Sequence, residues 1–261
     1  MKSIAQLNLI GIVVRPLASR TVAGTDFAEG TIALDSMLNG RKITNYVPLT
    51  FIGGAAKSAA ERLTPGTAVS IQATVRQEKW TTTDGQKRSK VRVQALRHEV
   101  LDGDFATISD KNGGLRLADG VNSALLGGNL VATPVIRYTP SGDQVTDFTL
   151  ALNEKFTNRQ GEVVERTSFV DITAWKEIAQ QVAALPKGTA LTVIGATVSE
   201  SWTDKDGNKR SSLKFEAAQI FVVQPPQGGR QTSSVPVNDT LSDADAKEFI
   251  DSLSEEEDMP F

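Results

Sequence analysis

The chain has 261 residues, 39% of them hydrophobic, and its 28 basic and 31 acidic side chains leave a net charge of −3. It contains no cysteine and a single histidine, His98, which excludes a disulfide scaffold, a thiolate nucleophile, an imidazole zinc cluster and a Ser/His/Asp relay. No stretch approaches the ~18 uninterrupted apolar residues of a membrane helix and the N-terminus lacks the apolar core of a signal peptide, so a soluble, cytoplasmic protein is expected, and the missing cysteines and histidines weigh against most enzyme classes and against a bound metal or cofactor. The charge is unevenly placed. From Asp239 onward there are nine acids against Lys247, which leaves residues 1–238 with 27 bases, 22 acids and a net charge of +5. A mildly basic body therefore carries an acidic tail.

In chain order, residues 5–14 read as a strand with Gly11 where a barrel strand can bend. Residues 31–38 and 44–52 alternate as second and third strands. The period then changes: residues 54–63 form a short alanine-rich helix, ended by Thr64-Pro65-Gly66. Residues 67–79 and 88–100 are the fourth and fifth strands, joined by a hairpin at Asp84-Gly85, a pair that supplies the positive φ angles of a tight turn. After a polar connector over residues 102–119, the same order returns. Strands are expected at 121–131, 144–156 and 166–174, a helix at 175–185, and a final hairpin of 189–200 with 210–222 turning at Asp206-Gly207.

The return is a duplication. Residues 66–96 laid on 188–218 match at 12 of 31 positions without a gap, and the shared residues include Glu78, Trp80, Asp84, Gly85, Lys87 and Arg88 against Glu200, Trp202, Asp206, Gly207, Lys209 and Arg210. A second block pairs Pro16, Thr21, Gly24 and Ala33 with Pro134, Thr139, Gly142 and Ala151. The offset between copies grows along the chain, which places an insertion in the polar loop over residues 158–165. The order β-β-β-α-β-β, met twice, is that of an OB-fold, a five-stranded Greek-key β-barrel that commonly receives oligonucleotides or oligosaccharides on one face, and other small barrels are compatible with it. The fold expected is therefore all-β with one short helix per domain: two tandem OB-folds and a disordered acidic C-terminal tail. Parallel α/β folds are excluded, because one short helix per copy cannot supply the crossovers. The expected organisation is an N-terminal OB-fold over 1–101, a connector over 102–119, a C-terminal OB-fold over 120–224, a flexible Pro/Gly/Gln/Ser linker over 225–250 and an acidic tip over 251–261.

Aromatics make up only 6% of the chain, yet Phe156, Phe169, Trp175 and Trp202 fall at strand surfaces or strand ends of the second copy. In a small barrel an aromatic more often fills the core. Here the aromatics are interleaved with Lys155, Arg159, Arg166, Lys176, Lys205, Lys209, Arg210 and Lys214, and core tryptophans rarely open a charged hairpin as Trp202 and Trp80 do. Such an arrangement suits single-stranded nucleic acid, whose exposed bases stack on aromatic rings at roughly 1–3 kcal/mol each while cations track the phosphates. Lys87 and Arg88 would serve the first hairpin.

The motifs resemble those of the bacterial single-stranded DNA-binding protein family. Gly127-Gly128-Asn129-Leu130 with Pro134 and Ile136-Arg137-Tyr138-Thr139-Pro140 is similar to that family's opening. Trp175-Lys176-Glu177-Ile178-Ala179 is similar to its strand-to-helix segment, and Trp202-Thr203-Asp204 through Arg210 to its aromatic hairpin. The resemblance implies base stacking on Phe156, Phe169, Trp175 and Trp202, with Trp80, Tyr46 and Tyr138 as further aromatic candidates. It implies a cytoplasmic, nucleoid-associated protein that wraps single-stranded DNA without sequence specificity in replication, recombination and repair. It also implies a homodimer presenting four OB-folds, and recruitment of replication, recombination and repair proteins through an acidic tip ending Asp258-Met259-Pro260-Phe261. At the positions of Phe156, Phe169, Trp175 and Trp202 the first copy has Leu38, Tyr46, Ile52 and Trp80, so unequal barrels are expected. The residues alone leave three alternatives: an RNA- or oligosaccharide-binding double OB-fold, a metal-dependent nuclease using clustered acids, and a structural assembly factor.

Overall fold

The structure, a computed structural model, describes residues 3–81, 85–109, 114–157, 161–203, 207 and 209–223. Strand alternation in the sequence becomes barrel wall. The first copy folds as β1 (Ile4–Val13), β2 (Ala18–Val22), β3 (Thr25–Leu38), β4 (Arg41–Ile52), α1 (Gly54–Arg62), β5 (Ala68–Thr81) and β6 (Lys87–Val100). Along β1, Leu7 and Leu9 turn into the core and Gln6 and Asn8 turn outward, the period-two pattern of a half-buried strand. β1 pairs with β5, β4 runs parallel to β6, β3 pairs with β4, and β1 returns to β3 at Ile12 and Ala33, which closes the barrel. Ala56 and Ala59 of α1 are buried beneath it, their small side chains letting the helix lie close. The lone histidine, His98, stands edge-on to Phe51 with ring centroids 5.6 Å apart.

The second copy repeats the plan with β9 (Val121–Leu130), β10 (Arg137–Tyr138), β11 (Gln144–Thr157), β12 (Val163–Trp175), α2 (Lys176–Ala183), β13 (Ala190–Thr203) and β14 (Lys209–Val222). It closes where Leu130 and Asn129 of β9 meet Leu150 and Ala151 of β11. The glycine there is obligatory, since a Cβ on Gly128 would lie 2.5 Å from the Ala151 carbonyl oxygen. The inserted residues fall in one hairpin: β3 and β4 turn through Asn39-Gly40, whereas β11 and β12 are joined by residues 158–162.

Two features depart from the sequence reading. Short strands β2 and β10 lie ahead of β3 and β11. The connector, expected to be plain and polar, contains the hairpin β7 (Thr107–Ser109) and β8 (Leu115–Leu117), with Leu117 buried and paired in parallel with Leu34 of β3. An apolar alternation this short leaves too little periodicity to be read along the chain.

The barrels are not separate bodies. β1 and β9 pair antiparallel from Ile4↔Gly127 to Ile10↔Val121, so both copies share one 14-stranded sheet, and buried side chains of both form one contiguous core. The segments Met1–Gln77 and Val91–Val223 make up this compact unit, while the hairpin segment Glu78–Lys90 belongs to a second unit. No helix among the described residues is long and apolar enough to cross a membrane. The expected linker and acidic tip lie outside the described residues.

Candidate nucleic-acid interface

Register decides which candidate residues share a surface. In β12, Val170, Ile172 and Ala174 point into the barrel, which sends Phe169, Asp171, Thr173 and Trp175 outward. β14 joins β12 in parallel with Thr173 beside Glu216, and β13 opposes β14 with Val198 facing Lys214 and Trp202 facing Arg210. Phe169, Trp175, Trp202, Lys214 and Glu216 therefore lie on one outward face of the sheet β11-β12-β14-β13. Trp202 is 45% exposed near the end of β13, and Trp175 is half-buried where β12 meets α2. Phe156 belongs to the opposite parity, beyond the end of the barrel, and the Arg166 guanidinium lies 5.2 Å from its ring centroid. Such a cation held over an aromatic ring leaves the other side of the ring available to a base.

The cations are engaged locally. Lys214 pairs with Glu200 at 2.8 Å, and Lys155 pairs with Glu165. Lys176 is exposed and adopts a φ of 52°, left-handed, directly after Trp175. Tyr138, on β10, is 68% exposed beside Gly142, Asp143, Lys176 and Gln180, with which it lines a shallow depression. In the first copy, Lys87 is exposed and Arg88 bonds Gln86 at 2.8 Å, with Trp80 half-buried on the same hairpin. Arg159 and Lys205 lie outside the described residues, as do the side chains of Lys209 and Arg210 and the tip residues Asp258, Met259, Pro260 and Phe261.

Phe169 is the candidate whose environment differs most from an open platform, being only 4% exposed although its strand parity is outward. The first barrel covers it. The Phe169 backbone N–H donates to Gln77 Oε1 at 3.4 Å, and the Gln77 N–H donates to Ser168 Oγ at 3.1 Å. The same exchange recurs with roles reversed: Tyr46 N–H donates to Ser199 Oγ at 3.0 Å, and Ser199 N–H donates to Asn45 Oδ1 at 2.9 Å. Tyr46 and Phe169 are thus equivalent positions at a pseudo-twofold seam between the barrels. Leu38 and Ile43 at the end of the first barrel's β3-β4 hairpin pack on Ala196, Val198 and Ala218 of the second. Where the second copy has Phe156, half-buried under Arg166 near the end of β11, the first uses Leu38 as packing.

Sequence reasoning missed the acids on this face. Thr149 donates to Asp171 at 2.6 Å and Thr173 to Asp147 at 2.7 Å. Asp171 is solvent-exposed at its surface, but desolvation by the protein packed around it raises its carboxyl above the ordinary 3.8 and the Asp147 charge adds to the rise, while the Thr149 hydrogen bond and Lys214 oppose it. Glu216 is nearly buried and receives the Trp175 indole Nε1–H at 3.2 Å. The available signal was parity: Glu216 follows the core residue Phe215. Among the described residues, no group of three or more acidic or histidine side chains converges as a metal cage.

Two closed five-stranded barrels with a helix between third and fourth principal strands, and an outward face of tryptophans among cations, define a tandem OB-fold protein. The sequence profile of the single-strand binding protein family matches twice, over residues 4–101 and 121–223, and the chain belongs to that family. It is 35% identical over 249 residues to the single-stranded DNA-binding protein of Deinococcus radiodurans, covering 90% of this chain and 83% of that one. It is 31% identical over 268 residues to the single-stranded DNA-binding protein of Thermus aquaticus, covering 100% of this chain and 99% of that one. The crystal structure of the wild-type Thermus aquaticus protein superposes with a TM-score of 0.68 at 25% identity, covering 89% of this chain and 98% of that one.

Proposed function

We propose that this chain is a sequence-independent binder of single-stranded DNA that wraps the strand in replication, recombination and repair. The observation that carries the reading is the outward face holding Trp175 and Trp202 beside Lys176 and Lys214, in a chain whose relatives are named single-stranded DNA-binding proteins. Bases stack on the open indoles and cations meet the phosphates; duplex DNA is the poorer ligand because its bases are already stacked on each other. Two chains together present four barrels, and the Asp258-Met259-Pro260-Phe261 tip offers a compact anchor to partner proteins while its acids avoid the DNA. Deleting residues 258–261 leaves DNA affinity intact and abolishes partner capture.

Titration of tryptophan fluorescence with oligo-dT at low and high salt tests the central claim. Quenching that survives salt and ignores duplex competitor is expected. Trp202→Ala should weaken binding by about 1–3 kcal/mol and by more than Trp80→Ala. Binding that vanishes with salt, with duplex competing equally, would make the protein a weakly basic scaffold.

A further inference from the structure

A carboxylate that is only 6% exposed sits on this outward face: Glu216 of β14. Burying such a charge is costly unless hydrogen bonds and an opposite charge compensate it. Three groups supply that compensation, and they come from two barrels. Trp175 Nε1–H reaches Oε2 at 3.2 Å, Arg41 Nη2 pairs with the same oxygen, and Asn39 Nδ2 donates to Oε1 at 3.0 Å. Asn39 also donates to the Ala217 carbonyl at 3.1 Å, which anchors the turn to the strand. Asn39 and Gly40 have φ of 49° and 76°, the tight-hairpin geometry that Asn-Gly favours, so the two donors are aimed by a stiff turn. β13 makes room beside Glu216 with an irregularity at Ile194/Gly195, where a Cβ on Gly195 would lie 2.0 Å from the Glu216 carbonyl oxygen.

We propose that Glu216 is a positioning residue: it locks the Trp175 indole in the orientation that stacks a base and, through Asn39 and Arg41, makes that orientation depend on the first barrel. The inference rests on the reading of Trp175 as a stacking residue. An indole held by its N–H has one ring orientation before DNA arrives, so less ordering is left for the binding step. The device is built once. The duplicate position of Trp175 is Ile52, that of Glu216 is Gln94, and the longer 158–162 loop replaces the Asn-Gly turn in the other hairpin. Strand bound at the second barrel is thereby coupled to the seating of the first.

The test uses the full chain. Arg41 is half exposed, with 51% of its side chain accessible, and the fold of Arg41→Gln is checked by circular dichroism and urea unfolding before binding is read; the folded variant is expected to bind oligo-dT about five-fold more weakly, with part of the loss restored by Arg41→Lys. Glu216→Gln should act in the same direction. In a Trp175→Phe background, which keeps a ring but lacks the N–H, Arg41→Gln should add no further loss. With Trp80→Phe and Trp202→Phe in place, the free protein reports Trp175 alone, and Arg41→Gln should shift its emission and lower its anisotropy. A loss that persists in the Trp175→Phe background, with a shallower salt dependence, would show Arg41 touching phosphate directly and overturn the proposal. Unchanged affinity and unchanged Trp175 emission in both Arg41→Gln and Glu216→Gln would also overturn it. If Trp175→Ala leaves affinity unchanged while oligo-dT still binds, stacking at Trp175 is wrong and the proposal falls with it, but single-strand binding by the chain stands.

Discussion

Lys176 occupies a backbone conformation that glycine adopts freely: its φ is 52°, and the first copy has Gly53 at 64° in the same strand-to-helix junction. For a lysine this costs about 1–2 kcal/mol, a local strain held beside Trp175 by the strand and helix that flank it. Lys176→Gly is expected to stabilise the fold by up to about 1 kcal/mol in urea unfolding. The same change should weaken oligo-dT binding and reduce the salt slope by about 0.7. Asp171 carries the opposite conflict. Because its carboxyl is raised, the charged form is disfavoured in the folded chain. The stabilising contribution is present below the ordinary carboxylate value and is lost as pH rises through the raised one. Asp171→Asn, which keeps an acceptor for Thr149, should therefore be more stable than the native chain at neutral pH. It should also bind oligo-dT more tightly, since a negative charge leaves the face, and the two stabilities should converge below about pH 4.

At the scale of elements, the connector is held by one buried acid. Asp35, 2% exposed, accepts from Thr44 at 2.7 Å and from Arg116 Nε at 2.9 Å, and pairs with Lys42 at 3.3 Å. Burial alone would raise its carboxyl, but the bonds from Thr44 and Lys42 and the charge and bond of Arg116 outweigh it and hold the pKa below 3.8. The contribution is present above the ordinary carboxylate range and is lost as pH falls through the depressed value. Arg116→Ala should cost about 1–3 kcal/mol at neutral pH and speed proteolysis of the connector, with the difference from the native chain shrinking in acid. Most elements were legible because their signals are local. Residues 144–156 alternate and become β11, Gly85 and Gly207 take the positive φ expected of the two long hairpins' turns while Asp84 and Asp206 lie outside the described residues, and an alanine-rich run becomes α1. The β7-β8 hairpin was not legible, because Leu115 and Leu117 acquire meaning only by docking Leu117 beside Leu34, far away in the chain.

At the scale of the molecule, duplication read from the sequence becomes shared structure. The β1-β9 ladder and the reciprocal Gln77/Ser168 and Ser199/Asn45 exchanges tie the barrels along one seam, and the core is continuous across it. Barrels joined this way unfold together, so calorimetry should show one transition whose calorimetric and van't Hoff enthalpies agree. Two resolved transitions would mean that the seam contributes little. The inequality of the barrels has its physical origin here as well: the Leu38 and Ile43 end of the first hairpin is consumed by packing, while the second copy's longer hairpin keeps Phe156 at a strand end under Arg166.

By itself the sequence determined the duplicated strand order, the turns, the family and the set of aromatic and cationic candidates, because period, turn chemistry and motif are properties of neighbours in the chain. Parity placed Phe169 and Trp175 on the same outward face, and no local signal separates them. Only the tertiary structure decided that Phe169 is covered by Gln77, 92 residues away, and that Trp175 is held by Glu216 with Asn39 and Arg41 behind it. Burial and hydrogen bonding are set by which distant segment arrives at a surface, and that arrival is decided by the pairing of β1 with β9.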